Sequence, residues 1–392
     1  MDQLQPLTLI CEFTDGQAKH VSVDPGLFGQ REWTPSRTYP SPTHPKLRKV
    51  IFPEGITEIG NQFFLADKDL EEVVLPESLE VIHHGAFKEC TALKQIRIPN
   101  NVKEIRSKAF FGCTSLQYAE LPSGLEVIRN EVFFKCESLT EINLPSTVES
   151  IEDSAFYGCT SIRHITLPEG LRQIASRAFS GCSSLEEITI PTTCTELGAE
   201  TFSGCHALKD VRLHEGIKHL SHNLFSYCTS LERIKLPDSI TALPSDIFNQ
   251  CTALKEVHFS SACSYIAWRA FYYCQSLTSF YLPDKFYTLD TKALSYCKSL
   301  STLYMPATCR IGREALEGLP DGFKIVYRGT VSEWKHSSRP VRVETGHETY
   351  NSGYPEGPIG WVEYNVLPEN TYFTVECLAD NVTLTYNEHL KK

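Results

Sequence analysis

Thiols and imidazoles are the side chains here with the most chemistry to offer. Fifteen cysteines and thirteen histidines are enough to hold metals, form disulfides or supply nucleophiles and bases. Zinc needs a tetrahedral cluster, usually built from cysteine pairs two to four residues apart. No such pair occurs in the chain. His83 and His84 are adjacent, and His214, His219 and His222 lie close together. A metal site from the latter three would need a shared face. No nucleophile elbow, H-E-x-x-H, G-x-G-x-x-G or Walker loop is present. The sequence therefore predicts no catalytic residue, no metal and no cofactor. Asn381-Val382-Thr383 matches a glycosylation sequon, which matters only in a secreted eukaryotic protein.

The spacing of the cysteines points to architecture instead. Cys90, Cys113, Cys136, Cys159, Cys182, Cys205, Cys228, Cys251, Cys274 and Cys297 follow one another at intervals of 23 residues. Phenylalanine stands three places earlier, from Phe87 to Phe271. Proline stands nine places later in most units, with His214 and Ser260 replacing it in two. In the unit CTALKQIRIPNNVKEIRSKAFFG, Ile96 and Ile98 alternate with Gln95 and Arg97. That period of two predicts a half-buried strand, which the following proline ends. Val102 and Ile105 begin a second apolar face. Ala109, Phe110 and Cys113 fall on a short turn or single helical turn. Glycine precedes the cysteine at Gly112, Gly158, Gly181 and Gly204, but Glu89, Lys135, Tyr227, Gln250, Tyr273 and Tyr296 stand there elsewhere. Such bulky residues argue against an obligatory positive φ at that place.

A unit this short cannot bury its own apolar residues, but stacked coils can, aligning like residue on like. Each coil returns the chain to the same side, so successive strands pair in parallel. The cysteines then form a ladder of small, buried, weakly polar core residues. Their side chains run parallel rather than towards one another, which disfavours disulfides. Cys194, Cys263 and Cys309 take the place of Val102 and are expected to be buried too.

The motif L-x-x-I-x-I-P, V-x-x-I, A-F-x-x-C resembles the BspA-like leucine-rich repeat over about residues 46 to 320. IVYRGTVSEW, residues 325 to 334, resembles the Y-x-G-T-x-x-x-W segment that closes such arrays in bacterial surface proteins. The resemblance implies an α/β, strongly β-rich fold. This is a right-handed leucine-rich-repeat solenoid of about 11–12 coils, with a parallel β-sheet along one face and turns or helical turns on the other. It also implies a non-catalytic adhesion or protein-binding role at a bacterial or protozoan cell surface, or in secreted form. The suspected partner is a host matrix or microbial surface protein.

Three regions are expected: an N-terminal cap with a proline-rich connection (1–45), the repeat array (46–320) and a β-rich C-terminal cap or module (321–392). LTLICEF reads as a strand. The first coil is degenerate, with Asp67 where cysteine should be. The last is one residue short. The start has no basic region followed by a long apolar run, so no signal segment is visible. That keeps an intracellular scaffold open as the alternative, and many thiols suit a reducing compartment. A carbohydrate-binding C-terminal module is the remote alternative, and a glycan the second partner class.

A net charge of −11 argues against nucleic acid or an anionic membrane as partner. No stretch approaches the length of a membrane span. The acidic, capped array is expected to be monomeric. Outward places on the strand face lie two and four residues after the unit's leucine. There the sequence singles out Arg212, Lys235, His258, Tyr281 and Tyr304 as the candidate binding cluster. Tyr265, Trp268, Tyr272, Tyr273, Phe286, Tyr287 and Tyr296 stand nearby, off that face. Tyrosine brings large rigid contact area to interfaces, but it is also a good strand former that shields neighbouring coils.

Overall fold

Each coil contributes two short strands and one tight corner, all dictated by where its apolar residues fall. The alternation at Gln95–Arg97 buries Ile96 and exposes its neighbours. Glu104–Ile105 forms a second, two-residue strand with Ile105 inward. In the computed structural model, residues 7–23, 46–337, 341–344, 361–364 and 373–386 are described. They divide into two compact units, Met1–Gly216 and Ile217–Lys392. The proline-rich segment at 34–45 lies outside the described residues. The chain carries about twelve parallel-strand solenoid turns with almost no helix.

In the first unit the longer strands pair in parallel one repeat apart, as in Gln95↔Tyr118 and Ile96↔Ala119. The shorter strands do likewise, as in Gln173↔Glu196. At its start Leu7–Phe13 pairs antiparallel with both Ala18–Val23 and Leu47–Ile51. Leu47–Ile51 in turn pairs in parallel with Glu72–Val74. The hairpin thus covers the edge that the first coil would otherwise leave open.

In the second unit Arg233–Lys235 pairs with Glu256–His258, and Ser279–Tyr281 with Thr302–Pro306. The short last coil appears as a step of 22 residues in Thr288↔Arg310 and Thr302↔Lys324. Phe323–Arg328 and Phe373–Cys377 extend the same sheet in parallel, and Val382–Tyr386 closes it antiparallel. Val341–Glu344 and Trp361–Tyr364 form a separate antiparallel pair. The closing motif has a physical reason at every place. Tyr327 and Trp334 are buried edge to face, 5.1 Å apart. A side chain at Gly329 would strike the Tyr327 ring at 2.7 Å. Thr330 and Glu333 cap the helix Val331–Ser337 reciprocally, the Thr330 hydroxyl accepting from the Glu333 N–H and the Glu333 carboxylate from the Thr330 N–H.

Phenylalanine rings line the interior as near-parallel stacks, 5.2–5.8 Å apart from Phe64 to Phe202 and 5.3–5.8 Å apart from Phe225 to Phe271. The ten ladder cysteines are fully buried, and all fifteen cysteines are free thiols. The thiol of Cys159 donates to the carbonyl of Phe133 in the preceding coil at 3.0 Å. Cys113, Cys136, Cys182, Cys205, Cys251, Cys274 and Cys297 repeat this contact at 3.1–3.3 Å.

The corner corrects one expectation. The place before the cysteine has positive φ whatever residue occupies it: 63° at Glu89, 54° at Lys135, 61° at Tyr273 and 73° at Gly181. A second such place lies four residues earlier, at Lys108, Glu131, Arg177 and Asp246 among others. The reason is hydrogen bonding. In this conformation the N–H of Lys135 reaches the carbonyl of Tyr157 in the next coil at 2.7 Å, and that of Glu131 reaches Asp153 at 3.0 Å. Between them the Phe133 N–H reaches Ala155 at 2.9 Å. The intervening N–H groups close local turns, as Phe134 does onto Glu131. Every donor around the corner is thereby paired, and the cost of a non-glycine residue there is accepted.

Two substitutions test this balance by urea unfolding. Gly181→Ala keeps ordinary contact distances but is strained by its φ of +73°, and is expected to cost about 1 kcal/mol. Phe156→Ala should cost roughly 3–5 kcal/mol by opening a cavity in the stack. Equal, negligible losses would contradict the account.

Candidate functional site

On the strand face Arg212, Lys235, His258 and Tyr281 are exposed, whereas Tyr304 is half-buried. In the first unit Arg212 is exposed and pairs in register with Thr189. Its guanidinium is held by Asp210 on the same strand at 2.8 Å. The other four members of the cluster belong to the second unit. Lys235 lies in register beside His258, and Tyr281 beside Tyr304. Lys235 has no ion-pair partner among the described residues, whereas His258 Nε2 lies 2.9 Å from Glu256. Arg233 shares that carboxylate at 3.7 Å. Exposed pairs of this kind are worth at most about 1 kcal/mol, so these side chains can re-pair with a partner.

Tyr281 is 59% exposed, and its ring centroid stands 5.3 Å from that of Tyr304. Between these rungs the inward residues Phe280 and Leu303 are buried. Sequence reasoning missed Arg328, which the sheet extension brings to the same place. Its guanidinium lies 4.9 Å from the Tyr281 ring centroid and donates to the Tyr281 hydroxyl at 3.2 Å. It also contacts Asp284 and the carbonyl of Leu282. Arg328 lies beyond the 23-residue pattern, so no periodicity could have flagged it.

The neighbouring aromatics have separate fates. Phe286 is core. The Tyr265 hydroxyl donates to Asp290, and Tyr287 is exposed beneath Arg310. Trp268, Tyr272, Tyr273 and Tyr296 stand on the corner rather than the strands, with the Arg269 guanidinium close to both Trp268 and Tyr272. Arg269 also faces the carboxylate of Asp246 at 3.4 Å, and Asn249 donates to the same oxygen at 2.9 Å.

His214 and the ladder thiols prove structural. Neither nitrogen of His214 is left for a ligand: Nε2 bonds the Cys194 carbonyl and Nδ1 accepts from Gly216 N–H. The Ser260 hydroxyl likewise accepts from Ala262 N–H, so both replacements for proline brace the turn with a side chain. Among the described residues no three metal-ligating side chains come together. Burial pushes the thiols of Cys113, Cys182, Cys251 and Cys297 up to about 12, far from the thiolate that reactivity requires. Asn381 sits in an exposed turn with φ of 55°.

Stacked parallel strands on one side and tight corners on the other define a leucine-rich-repeat solenoid. The chain matches the BspA type leucine rich repeat region, in six copies, over residues 43–158, 126–255, 172–301 and 218–335, and belongs to that family. It is similar to a leucine-rich repeat protein from Bacteroides ovatus ATCC 8483, with 27% identity and a TM-score of 0.65. The match covers 74% of this chain and 82% of that one. A leucine rich cell surface protein from Faecalibacterium prausnitzii A2-165 is 22% identical, with a TM-score of 0.48 over 86% of this chain and 98% of that one. The pneumococcal vaccine antigen PcpA is 24% identical, with a TM-score of 0.49 over 72% and 69%. No curated protein matches the chain. No helix among the described residues is long and apolar enough to cross a membrane.

Asp246 offers a pH test of the corner. Burial pushes its carboxyl up to about 6, against the opposing influence of Arg269 and Asn249. A raised acid binds its proton more tightly in the folded state. Its contribution is therefore full below about pH 4 and is lost as pH rises through 6. The stability of Asp246→Asn, which is always neutral, relative to the parent should rise between pH 3 and pH 8, by up to roughly 3 kcal/mol. Urea midpoints at the two pH values measure this.

Proposed function

We propose that the chain is a non-catalytic scaffold that binds another protein through its exposed strand face. Lys235, His258, Tyr281 and Tyr304 are the anchors in the second unit, and Arg212 occupies the equivalent outward place in the first. The observation that carries this reading is Tyr281, 59% exposed beside Tyr304 on rungs whose inward residues are buried. A regular interior with a varied outer face is how repeat scaffolds present binding surfaces, and exposed aromatic and cationic side chains are the usual anchors of protein interfaces. Membership of the BspA type supports a cell-surface or secreted setting, with a host matrix or microbial surface protein as partner. Fifteen free thiols favour a second reading as an intracellular scaffold. Fractionation of cells expressing the tagged chain separates the two.

The direct experiment measures binding of the purified chain to immobilised host-matrix proteins and to intact bacterial cells. The Tyr281→Ala/Tyr304→Ala variant is expected to bind the captured ligand at least tenfold more weakly, consistent with the loss of two interface anchors. Unchanged affinity would sink the assignment.

A further inference from the structure

In stacked coils each rung's inward residues are covered by the next rung, so the last strand at either end needs another solution. The two ends meet this need differently. Both finish in an antiparallel hairpin, Leu7–Phe13 with Ala18–Val23 at the start and Phe373–Cys377 with Val382–Tyr386 at the end. In each, the inner strand buries alternate residues, Leu9 and Cys11 in one, Val375 and Cys377 in the other. Residues directly opposite these lie on the same face of the outer strand. At the start the residue opposite Cys11 is Lys19, whose ammonium stands 5.5 Å from the Phe13 ring centroid. A charge on the inward face of an edge strand guards it against pairing with another chain. At the end Val382 stands opposite Cys377, and Leu384 opposite Val375. Val382 is 39% exposed and Leu384 half-buried, and Leu378 in the connecting turn is 49% exposed. These are core residue types at inward places that no further rung covers among the described residues.

The outer strand also lacks the other protections of an edge. Asn381 to Tyr386 contain no charge and no proline. Their register with the inner strand runs without a bulge from Cys377↔Val382 to Phe373↔Tyr386. Val382–Tyr386 is the last strand of a five-stranded sheet, and no described strand pairs with its outer edge. By residue type, Val-Thr-Leu-Thr-Tyr reads alike in both directions. Laid antiparallel on a second copy about Leu384, it sets Leu384 opposite Leu384, Thr383 opposite Thr385 and Val382 opposite Tyr386. Apolar types meet apolar types, and hydroxyls meet hydroxyls. No like charges are brought together, which matters for a chain of net charge −11.

We propose that Val382–Tyr386 pairs antiparallel with the same strand of a second copy of the chain, joining two five-stranded sheets about a two-fold axis at Leu384. The array expected to be monomeric is then a dimer. Five residues a side make a small interface, so the Kd is roughly 10–100 µM. The dimer does not rest on the strand-face reading.

Sedimentation equilibrium of the full chain from about 1 µM to about 300 µM tests this. A reversible monomer–dimer equilibrium is expected. Val382→Lys, which gives this edge the protection the first edge already has, should weaken dimerisation at least tenfold. Its circular dichroism and urea midpoint should stay those of the parent. Tyr281→Ala/Tyr304→Ala should dimerise as the parent does. Under mild oxidation Leu384→Cys should form an intermolecular disulfide, because facing residues of an antiparallel pair have Cα atoms about 4.5–5.5 Å apart. Val382→Cys should not, since its counterpart lies about 14 Å away. A chain that stays monomeric at the highest concentration overturns the proposal, as does a dimer undiminished by Val382→Lys. Failure of Leu384→Cys to cross-link overturns it too. Loss of the dimer in the Tyr281→Ala/Tyr304→Ala variant places the contact on the strand face and likewise overturns it.

Discussion

One buried carbonyl per coil, that of the core phenylalanine, ties the chain to itself in two directions. The Phe133 carbonyl accepts the N–H of Cys136 in its own coil at 3.1 Å and the thiol of Cys159 in the next at 3.0 Å. Phe248 repeats the arrangement with Cys251 and Cys274 in the second unit. Cysteine suits this place because it is nearly apolar in volume yet carries a weak donor. Alanine would fill less space and donate nothing. Serine would bring a more strongly polar group into the core, where desolvation is costly. The 23-residue beat of cysteine and phenylalanine is thus one interaction repeated, and the strands and corners are arranged around it.

Much of this was legible in the residues. The period of two at Ile96 and Ile98, the proline stops and the recurrent Ala-Phe pair specify strand, break and corner because packing leaves them little choice. The backbone at the corner was not legible. Glycine at four coils and tyrosine, lysine or glutamate at others suggested freedom, yet φ is positive throughout. The demand comes from a hydrogen bond to the next coil, a tertiary constraint that outweighs local preference at each site. Arg328 escaped for a different reason: its place beside Tyr281 is created by the pairing of Thr302–Pro306 with Phe323–Arg328, beyond the repeat. Exposed places could be counted from the period, but which of them act together depends on such neighbours.

Because the interior is fixed by repetition, binding character is free to vary outside it. The strand face of the second unit gathers Lys235, which has no ion-pair partner among the described residues, an exposed histidine and a tyrosine pair. These outward side chains contribute little to the shared core, so they can change without unravelling the fold. That separation is what lets one scaffold serve many partners.

The central claim is that the ladder thiols belong to an interior shared between coils. Pulsed labelling with a thiol reagent, read cysteine by cysteine by mass spectrometry across a urea series, tests it most directly. The account predicts that Cys113 to Cys205 stay unlabelled in native buffer and become reactive together, at the unfolding transition of the first unit. Cys251 to Cys297 should do the same at the transition of the second. Labelling of ladder cysteines in the native chain at the rate of an exposed thiol would contradict it.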